Sequence, residues 1–266
     1  ILDAHENTQL SLIPETPEYM VAVMKAREWN EKGYTLADTA TDATTGQELM
    51  KAGRLFTITN SMKAGEAGQT YTATQQEVID VFTVEPFANT HTAIAFVWTF
   101  PEFSQSPTEY AIKWMNSLYG NEELVNLMCY GFEGEHYVVL DDGHLDYPDG
   151  VTGETSGWSL QMNWMMGDQF KAMVWKGTDF TVWDEQDDMN KNATRSLSMG
   201  IMFNTENVKT EMSAVLNVIA EYRIAIECGM VDPQAMVPEY VAKMKAAGAD
   251  VIMAEKQRQI DEAHGA

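Results

Sequence analysis

Five histidines are scattered through the chain, His5, His91, His136, His144 and His264, and two of them flank a sharp break. His136 and His144 stand on either side of Asp141-Asp142-Gly143, so a hairpin there would let them face each other and share a metal ion. A zinc site takes three or four ligands, and two ordinary hairpin residues are the better reading. Asp141, Asp142 and Asp146 invite calcium. An EF-hand loop, however, spaces its aspartates at the first, third and fifth positions with glycine sixth. Here Gly143 directly follows two adjacent aspartates, so the register fails. Asp-Gly instead suits a tight hairpin turn, because it tolerates the positive φ that such a turn needs. Paired carboxylates for glycoside hydrolysis are a fairer rival, since 40 acidic residues and seven tryptophans would suit a sugar-cleaving cleft. Abundance is not placement, and a site must be argued from its geometry. No GxSxG, HExxH, Walker loop or GxGxxG after a strand is present. No catalytic residue, metal or cofactor is expected.

The aromatic residues say more. Trp158, Trp164, Trp175 and Trp183 lie within 26 residues. Core packing accounts for most such tryptophans. The alternative is that one or two present a flat face to a ligand, as aromatic rings do to the C–H faces of sugars in clefts that use few polar groups. Met162, Met165 and Met166 would then form an adaptable apolar wall, or else loosely packed core.

Composition narrows the partners. The 266 residues carry a net charge of −23, which argues against nucleic acid and against anionic lipid, since both need a basic face. Apolar residues make up 45% of the chain, enough for a real core in one large domain or two lobes. No apolar run approaches the length of a transmembrane helix. Cys129 and Cys228 form no CxxC and each falls near the end of an apolar helical run, so buried free thiols are expected; a disulfide would need an oxidising compartment, and spacing does not decide it. The start, Ile1-Leu2-Asp3-Ala4-His5, has neither a Met nor a basic leader, and reads as cut from something longer.

The elements that must position any site follow from caps and periodicity. Thr16-Pro17 opens a helix that Gly33 stops, and Gln47 to Ala52 is a short helix ended by Gly53. Arg54–Thr59 and Val78–Val84 read as strands, and the apolar run Ala93–Phe100 reads as a strand buried on both faces. Helices follow at Tyr110–Leu118 and Glu122–Met128, then two strands, His136–Leu140 and His144–Tyr147, around the Asp-Asp-Gly joint. Val208, Met212, Val215, Ile219, Tyr222 and Ile226 make one helical stripe, with Asn204 as N-cap and Gly229 as terminator. Asp232-Pro233 reads as a turn, Pro238 as the start of the next helix, and Asp250–Ala263 as the last.

Three stretches carry a resemblance. These are Tyr110 to Val151 (YAIKWMNSLYGNEELVNLMCYGFEGEHYVVLDDGHLDYPDGV), Asn163 to Phe170 within MNWMMGDQF, and an ending with Val208 to Glu211, Val231-Asp232-Pro233, Lys243 to Gly248 and Ala254 to Asp261. In order and spacing they resemble the extracellular solute-binding proteins of ABC importers, in the LipO-like or DUF3502 branch. The resemblance implies an α/β fold of the type II periplasmic-binding-protein kind, with two lobes, a mixed sheet in each and hinge crossings, the N-terminal lobe being incomplete here. It implies lobe two from 1–89 and 157–266, and a returning part of lobe one from 90–156. It implies a solute, a carbohydrate or oligosaccharide, captured between lobes without chemistry and delivered to an ABC transporter permease. It further implies a monomer outside the cell, held to the membrane only by an N-terminal lipid anchor that this chain does not contain. The ligand-facing residues would be Asn60, Ser61 and Met62 after the Arg54–Thr59 run, Asn89, Thr90 and His91 at the lobe crossing, Phe203 at the start of the long helix, and Trp164 in the Trp-rich segment. A peptide ligand, a structural role for the fold and a glycan-active enzyme stay open beside that reading.

Overall fold

The computed structural model describes residues 4–82, 84–158, 160 and 163–265. In chain order the helices and strands are α1 (Pro17–Glu31), α2 (Gly46–Lys51), α3 (Glu66–Thr74), β1 (Phe87–Ala88), α4 (Thr90–Ala93), α5 (Thr108–Gly120), α6 (Glu122–Tyr130), β2 (Val138–Val139), β3 (Leu145–Asp146), α7 (Val182–Asn192), β4 (Thr194–Arg195), α8 (Lys209–Glu227), α9 (Pro233–Ala246) and α10 (Ala249–Ala263). They form two compact units. Unit 1 draws on Ile1–Ala43, Phe87–Ala93 and Thr194–Ala266, and unit 2 on Thr44–Pro86 and Ile94–Ala193. The units divide the chain after residues 43, 86, 93 and 193, whereas the lobes implied by the resemblance divide it after 89 and 156.

Unit 1 is a bundle of α1, α8, α9 and α10 with a short parallel pair beside it. The Thr16 hydroxyl accepts from the Tyr19 amide and fixes the start of α1, with Pro17 in the first turn, where its missing N–H costs nothing. Val215, Tyr222 and Ile226 form the buried stripe of α8. They meet Val23 of α1 and Val237, Tyr240 and Met244 of α9 in one core. Tyr222 and Tyr240 stack with ring centroids 5.5 Å apart, and the Tyr222 hydroxyl donates to Glu239 Oε1 at 2.6 Å. Gly229 ends α8 at φ +68°, and a Cβ there would sit 2.4 Å from the Ala26 carbonyl oxygen, so the helix end lies against the backbone of α1 as only glycine permits.

Two expected boundaries in this unit move. Asn204 is not the N-cap of α8; its Oδ1 accepts from the Glu206 amide and starts a single 3-10 turn, Glu206–Val208, which leads into the helix at Lys209. The helix expected to start at Pro238 starts at Pro233 instead. Asp232 caps it by accepting from the Gln234 amide, Pro233 takes the first helical position, and Pro238 lies inside.

Unit 2 packs Val125, Cys129 and Tyr130 of α6 against Tyr137, Leu145 and Ala172. The β2–β3 hairpin forms as expected, with Val138 opposite Asp146 and Val139 opposite Leu145. Gly143 turns it at φ +93°, its amide donating to Leu140 O at 2.9 Å. Leu145 is fully buried and also bonds to the Val174 and Lys176 backbone on its other side. Three expected strands are absent. Residues 54–59 and the described part of 78–84 are irregular, Thr83 lying outside the described residues. Ala93 closes α4, and residues 94–100 are irregular and exposed rather than buried. Among the described residues, the sheets are one parallel and one antiparallel pair, smaller than the mixed sheets the resemblance implied. Both cysteines are free, Cys129 fully buried and Cys228 half-buried. Burial pushes the Cys129 thiol up to about 11, so it acts as a small apolar side chain. No helix among the described residues is long and apolar enough to cross a membrane.

Candidate functional site

Unit 1 holds a cavity of about 330 Å³ where four pieces of chain meet. One wall is Phe87 of β1 with Asn89, Thr90 and His91, which lead into and form α4. Ser196 and Ser198, after β4, make a second, and Ile201 and Phe203 a third. Lys256, Gln259 and Ile260 of α10 close it.

The local sequence explains each placement. The parallel pairing of Phe87 with Thr194 and Ala88 with Arg195 brings Asn89 and Ser196 side by side, and the Ser196 amide extends the pairing to Ala88 O at 2.9 Å. Asn89 caps α4: its Oδ1 accepts from the Thr92 amide at 3.1 Å, and its own amide donates to Thr92 Oγ1 at 2.9 Å. Among the described residues the Asn89 side-chain NH2 then has no partner and is left to donate. Thr90 Oγ1 accepts from the Gly200 amide at 2.9 Å and donates to Ser198 O at 3.3 Å, so it ties the two walls together. His91 is exposed, and its ring nitrogens make no hydrogen bond among the described residues.

Phe203 is held through its neighbour. The Asn204 amide donates to Gln259 Oε1 at 2.8 Å, and Gln259 Nε2 donates back to Asn204 O at 2.9 Å. Gln259 is itself oriented by Glu255 Oε1, 2.8 Å from Nε2. Arg258 clamps both oxygens of that carboxylate, at 2.8 Å from Nε and 2.7 Å from Nη2. The Arg258 guanidinium, then the Gln259 amide, hold the Glu255 carboxyl down at about 2. Lys256 lies over the ring of Phe203, Nζ 5.8 Å from the centroid. The cavity therefore offers two aromatic side chains, several neutral donors and acceptors and one ammonium, a set suited to binding a polar ring compound.

Four expected ligand residues, Asn89, Thr90, His91 and Phe203, thus share one cavity. The other four lie in unit 2. Asn60 and Ser61 are exposed and Met62 half-buried, all in the irregular stretch before α3, where Asn60 Oδ1 accepts from the Ser61 amide. Trp164 sits in a 3-10 turn, 42% exposed, edge-on to Phe96 at 6.1 Å. Its partners in the Trp-rich segment are structural: Trp175 packs on Tyr130 and Tyr147, and the Trp158 and Trp183 indoles donate to the carbonyls of Met128 and Ala172. Met162, part of the expected apolar wall, lies outside the described residues. Sequence reading missed Phe87, Ser196, Ser198, Lys256 and Gln259. The available signal was the helical spacing of Glu255, Lys256 and Gln259, three and four residues apart on α10.

The hairpin residues are engaged locally. His136 Nδ1 accepts from the Phe132 amide at 2.9 Å, and His144 stacks on Phe180 with Nε2 3.0 Å from Thr178 O. Asp146 pairs with Lys176, and Asp142 Oδ1 accepts from the His144 amide. No group of three or more potential metal ligands occurs among the described residues.

Residues 198–264 match the model of a domain of unknown function, DUF3502. A carbohydrate ABC transporter substrate-binding protein of Streptococcus pneumoniae serotype 4 (strain ATCC BAA-334 / TIGR4) is 32% identical over 163 residues, 58% of this chain and 31% of that protein. The crystal structure of the N-glycan transport solute binding protein NgtS from S. pneumoniae, in complex with Man1GlcNAc, aligns with a TM-score of 0.79 at 23% identity, over 96% of this chain and 56% of that one. The complex of NgtS with Man5GlcNAc aligns with a TM-score of 0.76 at 24% identity, over 98% of this chain and 57% of that one. The chain thus spans about a third of the curated relative and somewhat over half of the solved structures. The likeness the sequence carried is borne out: the α/β fold is that of these solute-binding proteins, and the segment 198–264 carries the DUF3502 pattern.

Proposed function

We propose that the protein captures an oligosaccharide for an ABC importer and breaks no bond. The observation that carries this reading is that Asn89, Thr90, His91 and Phe203 share a single cavity whose remaining lining adds Phe87, the neutral hydrogen-bonding side chains of Ser196, Ser198 and Gln259, the Lys256 ammonium and aliphatic residues. A glycoside hydrolase needs two carboxylates about 5–10 Å apart at the scissile bond, and no Asp or Glu is among the described residues lining that cavity. The relatives' names supply the ligand class, carbohydrate in one case and mannose–N-acetylglucosamine oligosaccharides in the other. The reading includes ligand contacts from Asn60, Ser61, Met62 and Trp164, the lobe assignment 1–89, 90–156 and 157–266, a permease as the receiving partner, and a monomer acting outside the cell on a lipid anchor.

Isothermal titration of the purified protein against Man1GlcNAc, larger mannose oligosaccharides and a panel of short peptides tests it. Saturable heat with a sugar and none with the peptides is the expected result, and Phe203→Ala is expected to weaken the sugar about ten-fold or more, as loss of a buried aromatic contact does. Heat with peptides alone would sink the carbohydrate reading.

A further inference from the structure

Lys256 stands apart from most lysines of this chain. Nine others, including Lys171, Lys176 and Lys245, are ion-paired to a carboxylate. Lys256 is paired to none among the described residues. Its sequence neighbour Glu255 is already committed to Arg258, Gln259 and Asn207. The ammonium lies instead over Phe203, at the edge of a cavity that no described Asp or Glu lines. In a chain with 40 acidic residues and 17 basic ones, a recess whose described lining has one exposed ammonium and no carboxylate is a local reversal of sign.

We propose that this cavity selects a sugar bearing a carboxylate, a hexuronate or a related acidic sugar, and that Lys256 is the residue that reads the charge. The proposal rests on the sugar-capture reading above and sharpens it. The pyranose ring lies against Phe203 and Phe87, its hydroxyls meet Asn89, the serines and Gln259, and its carboxylate meets the Lys256 ammonium. An ammonium is a compact point charge that forms strong charge-assisted hydrogen bonds to carboxylate. A neutral hexose at the same place leaves Lys256 with only the aromatic face and water.

The test is calorimetric titration of the purified protein with two disaccharides that differ at one position. One ends in a neutral hexose, and in the other that hexose is replaced by the corresponding hexuronate. A hydrogen bond to a charged group predicts about ten- to a hundred-fold tighter binding of the acidic disaccharide. Lys256→Gln is expected to abolish the preference, so that the two disaccharides bind alike, and Lys256→Arg to keep most of it. Equal affinity for the two disaccharides, or a Lys256→Gln variant that weakens both alike, overturns the proposal and leaves sugar capture standing. Absence of binding to either, in protein with an intact unfolding transition, overturns the sugar reading itself and this proposal with it.

Discussion

Gln259 fixes the position of a residue it does not precede in the chain. By accepting from the Asn204 amide and donating to its carbonyl, it holds the stretch of backbone that presents Phe203. Glu255 holds Gln259 in turn, so the carboxylate acts on the cavity wall at two removes. Its folded pKa of about 2 lies below the ordinary 4.5, which means that folding favours the ionised form. The stabilisation from this carboxylate is fully present above about 4.5 and is lost as pH falls toward 2. Thermal melts across that range are therefore expected to show Glu255→Gln with a lower midpoint at neutral pH and convergence on the wild type near the acid end. Glu28, held to about 2 by Lys25 and Lys32, loses its contribution over the same interval in both proteins, so the variant's acid limb is shallower rather than flat. Parallel curves for the two proteins would show that Glu255 contributes nothing through its charge. Beyond the three- and four-residue spacing of Glu255, Lys256 and Gln259, this network was not legible from sequence. Glu, Lys, Arg and Gln on a C-terminal helix look like a solvated face, and only the approach of the 201–204 loop gives them a task.

At the scale of elements, exposed apolar side chains mark where an expectation failed. Residues 54–59, 78–84 and 93–100 have the β-branched and aromatic content of strands, yet Phe56 is fully exposed, Ile79 is 89% exposed and Val97 59%. Such runs create native apolar surface, and they are expected to bind anilinonaphthalene sulfonate in the folded state. Val97→Lys is expected to lower the dye fluorescence while moving stability by no more than about 0.5 kcal/mol, as substitutions at exposed sites do; unchanged fluorescence would show that residues 94–100 are not the dye-binding surface. The contrast with the helices is physical. A helix pairs its backbone groups within itself, and its ends are written locally, so Thr16-Pro17 was readable without knowing the partners. A strand is a two-body structure. Its propensity records how well a side chain fits against neighbours, and the neighbours are what a single run of sequence does not specify. The β2–β3 hairpin was readable because its partner strand is supplied a few residues away by the Asp-Asp-Gly turn. At the helix starts, Asn204 and Pro238 misled because a polar cap and a proline each suit more than one position in a helix's first turns. Asn89–His91 and Phe203 entered through family likeness rather than local chemistry, and of the expected residues these reached a common cavity.

The whole molecule carries its stability in two places. One core gathers Val215, Tyr222 and Ile226 of α8 with their partners on α1 and α9, and the other gathers Val125, Cys129 and Tyr130 of α6 with Leu145 of the hairpin; the two share no residue. Each core lies within a unit assembled from separate stretches of chain. Cooperativity in unfolding follows shared packing, so each core is expected to unfold as its own unit. Scanning calorimetry is therefore expected to resolve two transitions. Ile226 and Leu145 are both fully buried, one in each core. Ile226→Ala and Leu145→Ala are each expected to cost about 2–5 kcal/mol through lost apolar burial and the cavity left behind. If the cores are independent, Ile226→Ala lowers the transition of unit 1 alone and Leu145→Ala that of unit 2 alone. The candidate cavity belongs to unit 1, so a bound sugar adds its binding energy to that unit's folding equilibrium and raises the same transition that Ile226→Ala lowers. A single transition displaced equally by both substitutions would mean that the two cores unfold as one.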